Sequence, residues 1–246
     1  MLLNLNGCVI NRCTVNNTPI VYKNFLSDES ELVITAVQGI ITRAFIYRQS
    51  TAEASIQCIV HEHAQLDLLV MCDFGVSGNL SIDYLLVGDK ARVTSYFIGA
   101  LGGHDTISLT TNQRHEAQGT LSSVHILAVV TDQASLNLKG IITGTALAHK
   151  SNADHQQRVI VLTSQAQCRA EPIIQTGSSP IMCTHGSALG GFDDTAVNAL
   201  RMRGYSISEA YATLVQSFYT MQKEVWYPEG YDRCIANYLK KLREVL

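Results

Sequence analysis

VHILAVVTDQASLNLKGIITGTALAHKSNADHQQRVIVL, residues 124–162, strings three apolar runs together and separates them with polar, turn-forming stretches. The runs are Val124 to Val130, Gly140-Ile141-Ile142 and Val159 to Leu162. Working outward, the same texture covers about 31 to 192. Leu32-Val33-Ile34, Ile56-Gln57-Cys58-Ile59-Val60, Leu66 to Met71, Tyr84 to Val87 and Thr106 to Leu109 recur among Val, Ile, Thr, Ala and Gly, with almost no proline. Gly, Asn, Asp or Ser breaks fall roughly every 8–15 residues, and no amphipathic helix interrupts, which is the pattern of many short strands. A sandwich or a jelly roll accommodates that spacing. A solenoid accommodates it too, although the repeat is only approximate and follows no hexapeptide rule. From the pattern itself the chain is mainly β and solenoid-like over this region.

From 193 onward the period becomes helical. Asp193 or Asp194 offers an N-cap, and Ala196, Val197, Leu200 and Met202 begin an apolar stripe. Gly204 stands where a left-handed residue closes a helix, and Ser206-Ile207-Ser208-Glu209 is a capping box opening a second one. Ala210, Leu214, Val215, Phe218 and Met221 share a face of that helix. After Tyr227-Pro228-Glu229-Gly230, a third helix is expected from Tyr231 to Leu246 with Ile235, Tyr238, Leu242 and Leu246 inward. The expected division is a tail or edge segment over 1–30, a β core over 31–192 and a small helical subdomain over 193–246.

Composition excludes several classes. A chain of 246 residues, 46% of them apolar, is sufficient for one sizeable core. Eighteen Lys and Arg against 21 Asp and Glu give a net charge of −3, a poor balance for tracking nucleic acid. No apolar run approaches the ~20 residues that span a bilayer, and MLLNLNGCVINRC lacks the regions of a secretory signal. No membrane and a cytoplasmic location are expected. The seven cysteines, Cys8, Cys13, Cys58, Cys72, Cys168, Cys183 and Cys234, include no Cys-x-x-Cys pair. Outside one motif they are expected to be reduced thiols packed as small hydrophobes.

That motif is Cys183-Thr184-His185-Gly186-Ser187-Ala188-Leu189-Gly190. In an extended strand, residues i and i+2 share a face with Cα atoms roughly 6.5–7 Å apart. Cys183 and His185 could therefore meet one metal or sulfur species. Thiolate and imidazole suit iron, iron–sulfur clusters and zinc, but two ligands leave the shell open for a second subunit to complete. His61-Glu62-His63 repeats the spacing as a weaker metal pair or a solvated strand face. Cys72-Asp73 is expected at a turn entry, His115 in a hydrogen-bonded structural role, and Asp132, Asp154 and His155 at coil corners. No Gly-x-Ser-x-Gly elbow or P-loop occurs, so neither nucleophilic hydrolysis nor ATP binding is expected of this chain.

The run MCTHGSALGGFDDTAVNALRMRGYS, residues 182–206, resembles the C-terminal signature of the SufB/SufD family of iron–sulfur cluster assembly proteins. That signature reads Cys-Ser-His-Gly-Ala-Thr-x-Gly, an acidic helix start, then Leu-x-x-Arg-Gly. Gln157-Arg158 before Val159 to Ser164, with Ala166 and Pro172, resembles the preceding family segment; Arg114-His115-Glu116, Gly119-Thr120 and Gly140-Ile141 fit more loosely. The resemblance implies a right-handed parallel β-helix and a non-enzymatic scaffold. It implies partners too: a SufB-like subunit or a second copy through the β-helix, and the ABC-type ATPase SufC through about 193–225. It further implies that His185, with Cys183, serves a transient iron or iron–sulfur cluster where subunits meet. SufB-type chains carry cysteine at the position matching Gln157 and glutamate at that matching Gly186, which puts this chain on the SufD side. On this resemblance the chain is expected to lack the family's N-terminal helical domain. Two rivals are a homodimeric ATPase adaptor without cluster chemistry and a β-helical carbohydrate enzyme, the latter disfavoured for want of clustered carboxylates.

Overall fold

The computed structural model describes residues 2–4, 20–23, 30–48, 51, 53–177, 181–220 and 231–245. The remainder of the 1–30 segment, the break at 227–230, Met221 and Leu246 lie outside the described residues. The strands, in chain order, are β1 (Leu2–Asn4), β2 (Ile20–Lys23), β3 (Ser30–Ala36), β4 (Ile41–Arg48), β5 (Ala54–Val60), β6 (Gln65–Cys72) and β7 (Gly78–Leu86). They continue as β8 (Arg92–Leu101), β9 (Thr106–His115), β10 (Leu121–Val130), β11 (Ser135–Gly144), β12 (Asn152–Val161), β13 (Gln167–Gln175) and β14 (Met182–Gly190). Three helices follow: α1 (Asp194–Arg201), α2 (Ile207–Thr220) and α3 (Tyr231–Val245).

From β2 onward the strands alternate between two wholly parallel sheets. One runs β1-β2-β4-β6-β8-β10-β12-β14 and the other β13-β11-β9-β7-β5-β3, so each described coil from β3 to β14 places one strand in each. This is a parallel β-helix, with inward side chains of the two sheets meeting in one long core. Registers are continuous. Leu68, Ser95, Val124, His155 and His185 form one inward row of the eight-stranded sheet. Ile56, Ile82, Thr111, Gly140 and Pro172 form a row in the other.

The sequence pattern differs between the sheets for a physical reason. In the six-stranded sheet only one face is covered, so strands alternate, as in β5 with its strictly alternating burial. The middle of the eight-stranded sheet, at β4, β6, β8 and β10, is covered on both faces. Apolar runs there serve both sides: Leu68 and Val70 point inward, whereas Leu69 and Met71 join an outer cluster with α2 and α3. Coil corners are tightened by single left-handed residues, among them His63 and Lys90 with φ of 54° and 58°, followed by the buried Ala64 and Ala91. This small-residue beat is the repeat that a hexapeptide search passes over.

The helices start where their caps dictate. Asp193 accepts from the Thr195 N–H, and Ser206 and Glu209 exchange backbone bonds in a capping box. Gly204, with φ of 95°, closes the turn after α1. Met202 differs from expectation: it is 89% exposed at the C-cap, because only Val197 of α1 is fully buried. The strongest tie from α2 is Tyr219, fully buried and donating its hydroxyl to the Gly99 carbonyl at 2.7 Å. From α3, Lys241 pairs with Asp73 at 2.9 Å while Tyr238 stacks on Phe74. Among the described residues no helix is long and apolar enough to cross a membrane.

Tyr219→Phe leaves the buried Gly99 carbonyl without its side-chain donor. It is expected to lower stability by about 1–3 kcal/mol, read as a fall in the urea midpoint, whereas Thr220→Ala on the exposed side of α2 moves it by less than about 0.5 kcal/mol.

Candidate functional site

β14 is the last rung of the eight-stranded sheet, and most of its residues are small: Met182-Cys183-Thr184-His185-Gly186-Ser187-Ala188-Leu189-Gly190. Alternation puts Cys183, His185, Ser187 and Leu189 on one face, in register with the inward Ala153, His155, Gln157 and Val159 of β12. The two candidate ligands thus continue the inward rows of the solenoid onto its open end. His185 is exposed and Cys183 half-buried. α2 and α3 pack on the outer face of this sheet, against β4, β6, β8 and β10. Burial raises the Cys183 thiol above its ordinary range, so binding a metal there must displace a proton.

Beneath this rung the core changes character. Earlier coils bury mostly apolar side chains, with Thr42, Arg48 and Ser95 among the exceptions; the coils of β9 to β12 contain a hydrogen-bonded file of fully buried polar groups. His115 Nδ1 meets Thr120 Oγ1 at 2.7 Å and its Nε2 meets Ser122 Oγ at 2.8 Å. Ser122 continues to the Gln113 amide at 2.5 Å, and Gln113 to His155 Nδ1 at 3.0 Å. His155 Nε2 lies 3.0 Å from the Gln157 amide, which takes the Ser187 hydroxyl at 2.9 Å. The file ends on the exposed face of β14. Gly140 on the opposite sheet leaves space for it, since a Cβ there would lie 2.2 Å from His155 Nε2.

Burial governs these imidazoles. It lowers His115 from 6.5 to about 4. His155 also falls to about 4, chiefly by desolvation, with Asp154 opposing and His125 and His185 adding to the shift. Both are neutral at physiological pH.

The two end strands are not equivalent. β13 contains Pro172, which cannot donate to a ladder, and an Arg169–Glu171 ion pair, both of which discourage pairing. β14 has no proline and no Asp, Glu, Lys or Arg, while Met182 and Leu189 are 71% and 46% exposed. Among the described residues nothing pairs with its outer edge.

Other candidates fare differently. His61, Glu62 and His63 do not share a strand face: they form a corner turn, all exposed, with His63 left-handed. Cys72 ends β6 and Asp73 enters the turn, as expected, but Asp73 also accepts from Tyr47 at 2.8 Å and anchors α3. His115 has the expected structural bonds. Asp132 is at a corner, with φ of 54°. Asp154 and His155 are not: both sit within β12, and His155 is inward and 1% exposed. The missed signal was the alternation Ala153, His155, Gln157, Val159, read as a corner because its polar members looked solvated. Cys58 and Cys72 are buried, with burial pushing the Cys72 thiol to about 12, while Cys168 is only half-buried. Cys8, Cys13 and the Cys234 side chain lie outside the described residues. Among the described residues no three His, Cys, Asp or Glu side chains gather as a metal site. Cys183 and His185 thus supply at most part of a shell.

Comparison with known families matches residues 8–218 to the family described as "SUF system FeS cluster assembly, SufBD core domain". The chain belongs to the SufBD family. Among similar SufBD proteins is an iron–sulfur cluster assembly SufBD family protein of Synechocystis sp., 28% identical over 115 residues, 47% of this chain and 24% of the relative. The iron–sulfur cluster assembly protein SufD of Bacillus subtilis is 27% identical over 116 residues, 47% of this chain and 26% of that protein. Each match thus spans about a quarter of the relative's length. α3 lies beyond the SufBD match.

Two outcomes follow. Between about pH 6.5 and 4 the unfolded chain binds protons that the buried His115 and His155 refuse. Stability contributed by these sites is present above that window and lost as pH falls through it, by up to about 1.4 kcal/mol per unit for each histidine. Urea midpoints across this range should show a shallower slope in His115→Gln. Separately, Gly140→Ala should cost about 1–3 kcal/mol by overpacking, whereas Gly190→Ala, where a Cβ meets nothing within 4 Å, should be nearly neutral by the same measurement.

Proposed function

We propose that this chain is a SufD-like, non-catalytic scaffold subunit for iron–sulfur cluster assembly. It works in the cytoplasm with a SufB-like partner, or a second copy of itself, and with a SufC-like ATPase. The observation that carries this reading is the placement of Cys183 and His185 on the exposed inward face of an uncharged end strand. A strand edge of that kind favours pairing with another chain, and a partner seated there would bring its own ligands to an incomplete pair. Partial ligation from each side suits a cluster that is cargo, because a closed shell would hold it too tightly for release.

Remaining roles follow from the family resemblance. The SufC-like ATPase would dock on the helical region 193–225, which includes the exposed Met202, Tyr205 and Ile207. Gln157 stands where the SufB branch has cysteine, so sulfur acceptance falls to the partner. At Gly186 the space for a side chain is taken by Gln156, whose Oε1 would lie 2.4 Å from an added Cβ. This fits a chain without the glutamate of that branch.

The test is His185→Ala in a complex reconstituted with SufB-like and SufC-like subunits, with cluster formation followed by visible absorbance. Cluster yield should fall several-fold while complex formation persists on gel filtration. An undiminished yield removes the ligand role.

A further inference from the structure

The buried file has a direction. A neutral imidazole carries one N–H and one lone pair, so His155 must donate to one neighbour and accept from the other. Its Nδ1 and Nε2 each lie 3.0 Å from a glutamine amide, those of Gln113 and Gln157. Both amide nitrogens cannot face a neutral ring at once, so one glutamine turns its oxygen inward. Every further member is a hydroxyl, amide or imidazole able to reverse its role, which leaves two self-consistent patterns.

In one, His155 carries its proton on Nε2 and donates to Gln157, whose NH2 group donates to Ser187. The Ser187 hydroxyl proton then points outward. In the other, His155 is protonated on Nδ1 and donates to Gln113, while Gln157 donates to Nε2 and Ser187 donates to the Gln157 oxygen. Ser187 then presents only lone pairs. Ser187 is exposed and two residues from His185 on the same strand face. The two patterns therefore offer opposite polarity to whatever sits beside that imidazole.

We propose that Gln113, His155 and Gln157 form a positioning network for the end rung, in which the His155 tautomer sets whether Ser187 acts as donor or acceptor beside His185. A cation beside His185 favours outward lone pairs, and so the Nδ1–H form of a ring one rung deeper. An anionic sulfur species favours the reverse. The network is held by fit as well as by bonding, because the ring occupies the space that Gly140 leaves open. This inference rests on the ligand role given to His185 above.

The experiment is nitrogen NMR of full-length protein labelled at histidine, titrated with Zn2+ alone as a diamagnetic probe. His155→Gln and His185→Gln serve to assign the resonances. Zn2+ should shift the His185 ring nitrogens and move His155 several-fold toward Nδ1–H. In Gln157→Met the His185 response should persist while His155 no longer follows it. A His185 response with an unchanged His155 tautomer in the wild-type chain overturns the coupling alone. A silent His185 overturns both the coupling and the ligand role.

Discussion

Parallel, in-register stacking ties each inward side chain to the one on the rung before it. Neighbouring strands lie about 4.8 Å apart, so an inward group must be tolerated by its register partner and by the facing sheet. Early coils satisfy that mostly with aliphatic rows. The coils of β9 to β12 replace them with hydroxyls, amides and imidazoles, and a buried polar group without a partner costs free energy comparable to a lost hydrogen bond. Gln113, Ser122, His155 and Gln157 meet that demand only as a connected set. Tyr84 and Ser95, bonded at 2.6 Å in the coil of β7 and β8 just before, are an isolated pair of the same kind. Chemistry at the open end is thus continuous with packing in the interior.

Most of the fold was legible in the residue pattern, and the reasons are specific. Continuous runs such as Leu66 to Met71 marked strands covered on both faces, and the helix boundaries were written in Asp193, Gly204 and Ser206-Glu209. The choice among β architectures was not, because the repeat resides in corner residues of varied type: Gly39, His63, Lys90 and Gly119 all adopt positive φ. A left-handed corner can be met by glycine or, at some cost, by other residues, so identity hides the period.

The site was half legible. Cys183 and His185 stood out through their spacing and the SufBD resemblance, and β14 places them on the expected shared face. His155 and Gln157 did not, since polar residues at inward positions mimic a solvated turn. Tyr219 escaped notice for a related reason: its value lies in a hydroxyl reaching Gly99, 120 positions earlier in the chain, and no local period encodes that.

The unequal end strands carry a consequence for assembly. The two sheets begin at one end of the solenoid with β3 and β1, and β13 and β14 together close the other end. Here proline and paired charges blunt β13 and leave β14 bare. A symmetric partnership made through one ladder uses the same patch on both members, so it closes at two and cannot propagate. On the proposed pairing with a second copy, a contact made through β14 on both members would therefore stop at a dimer.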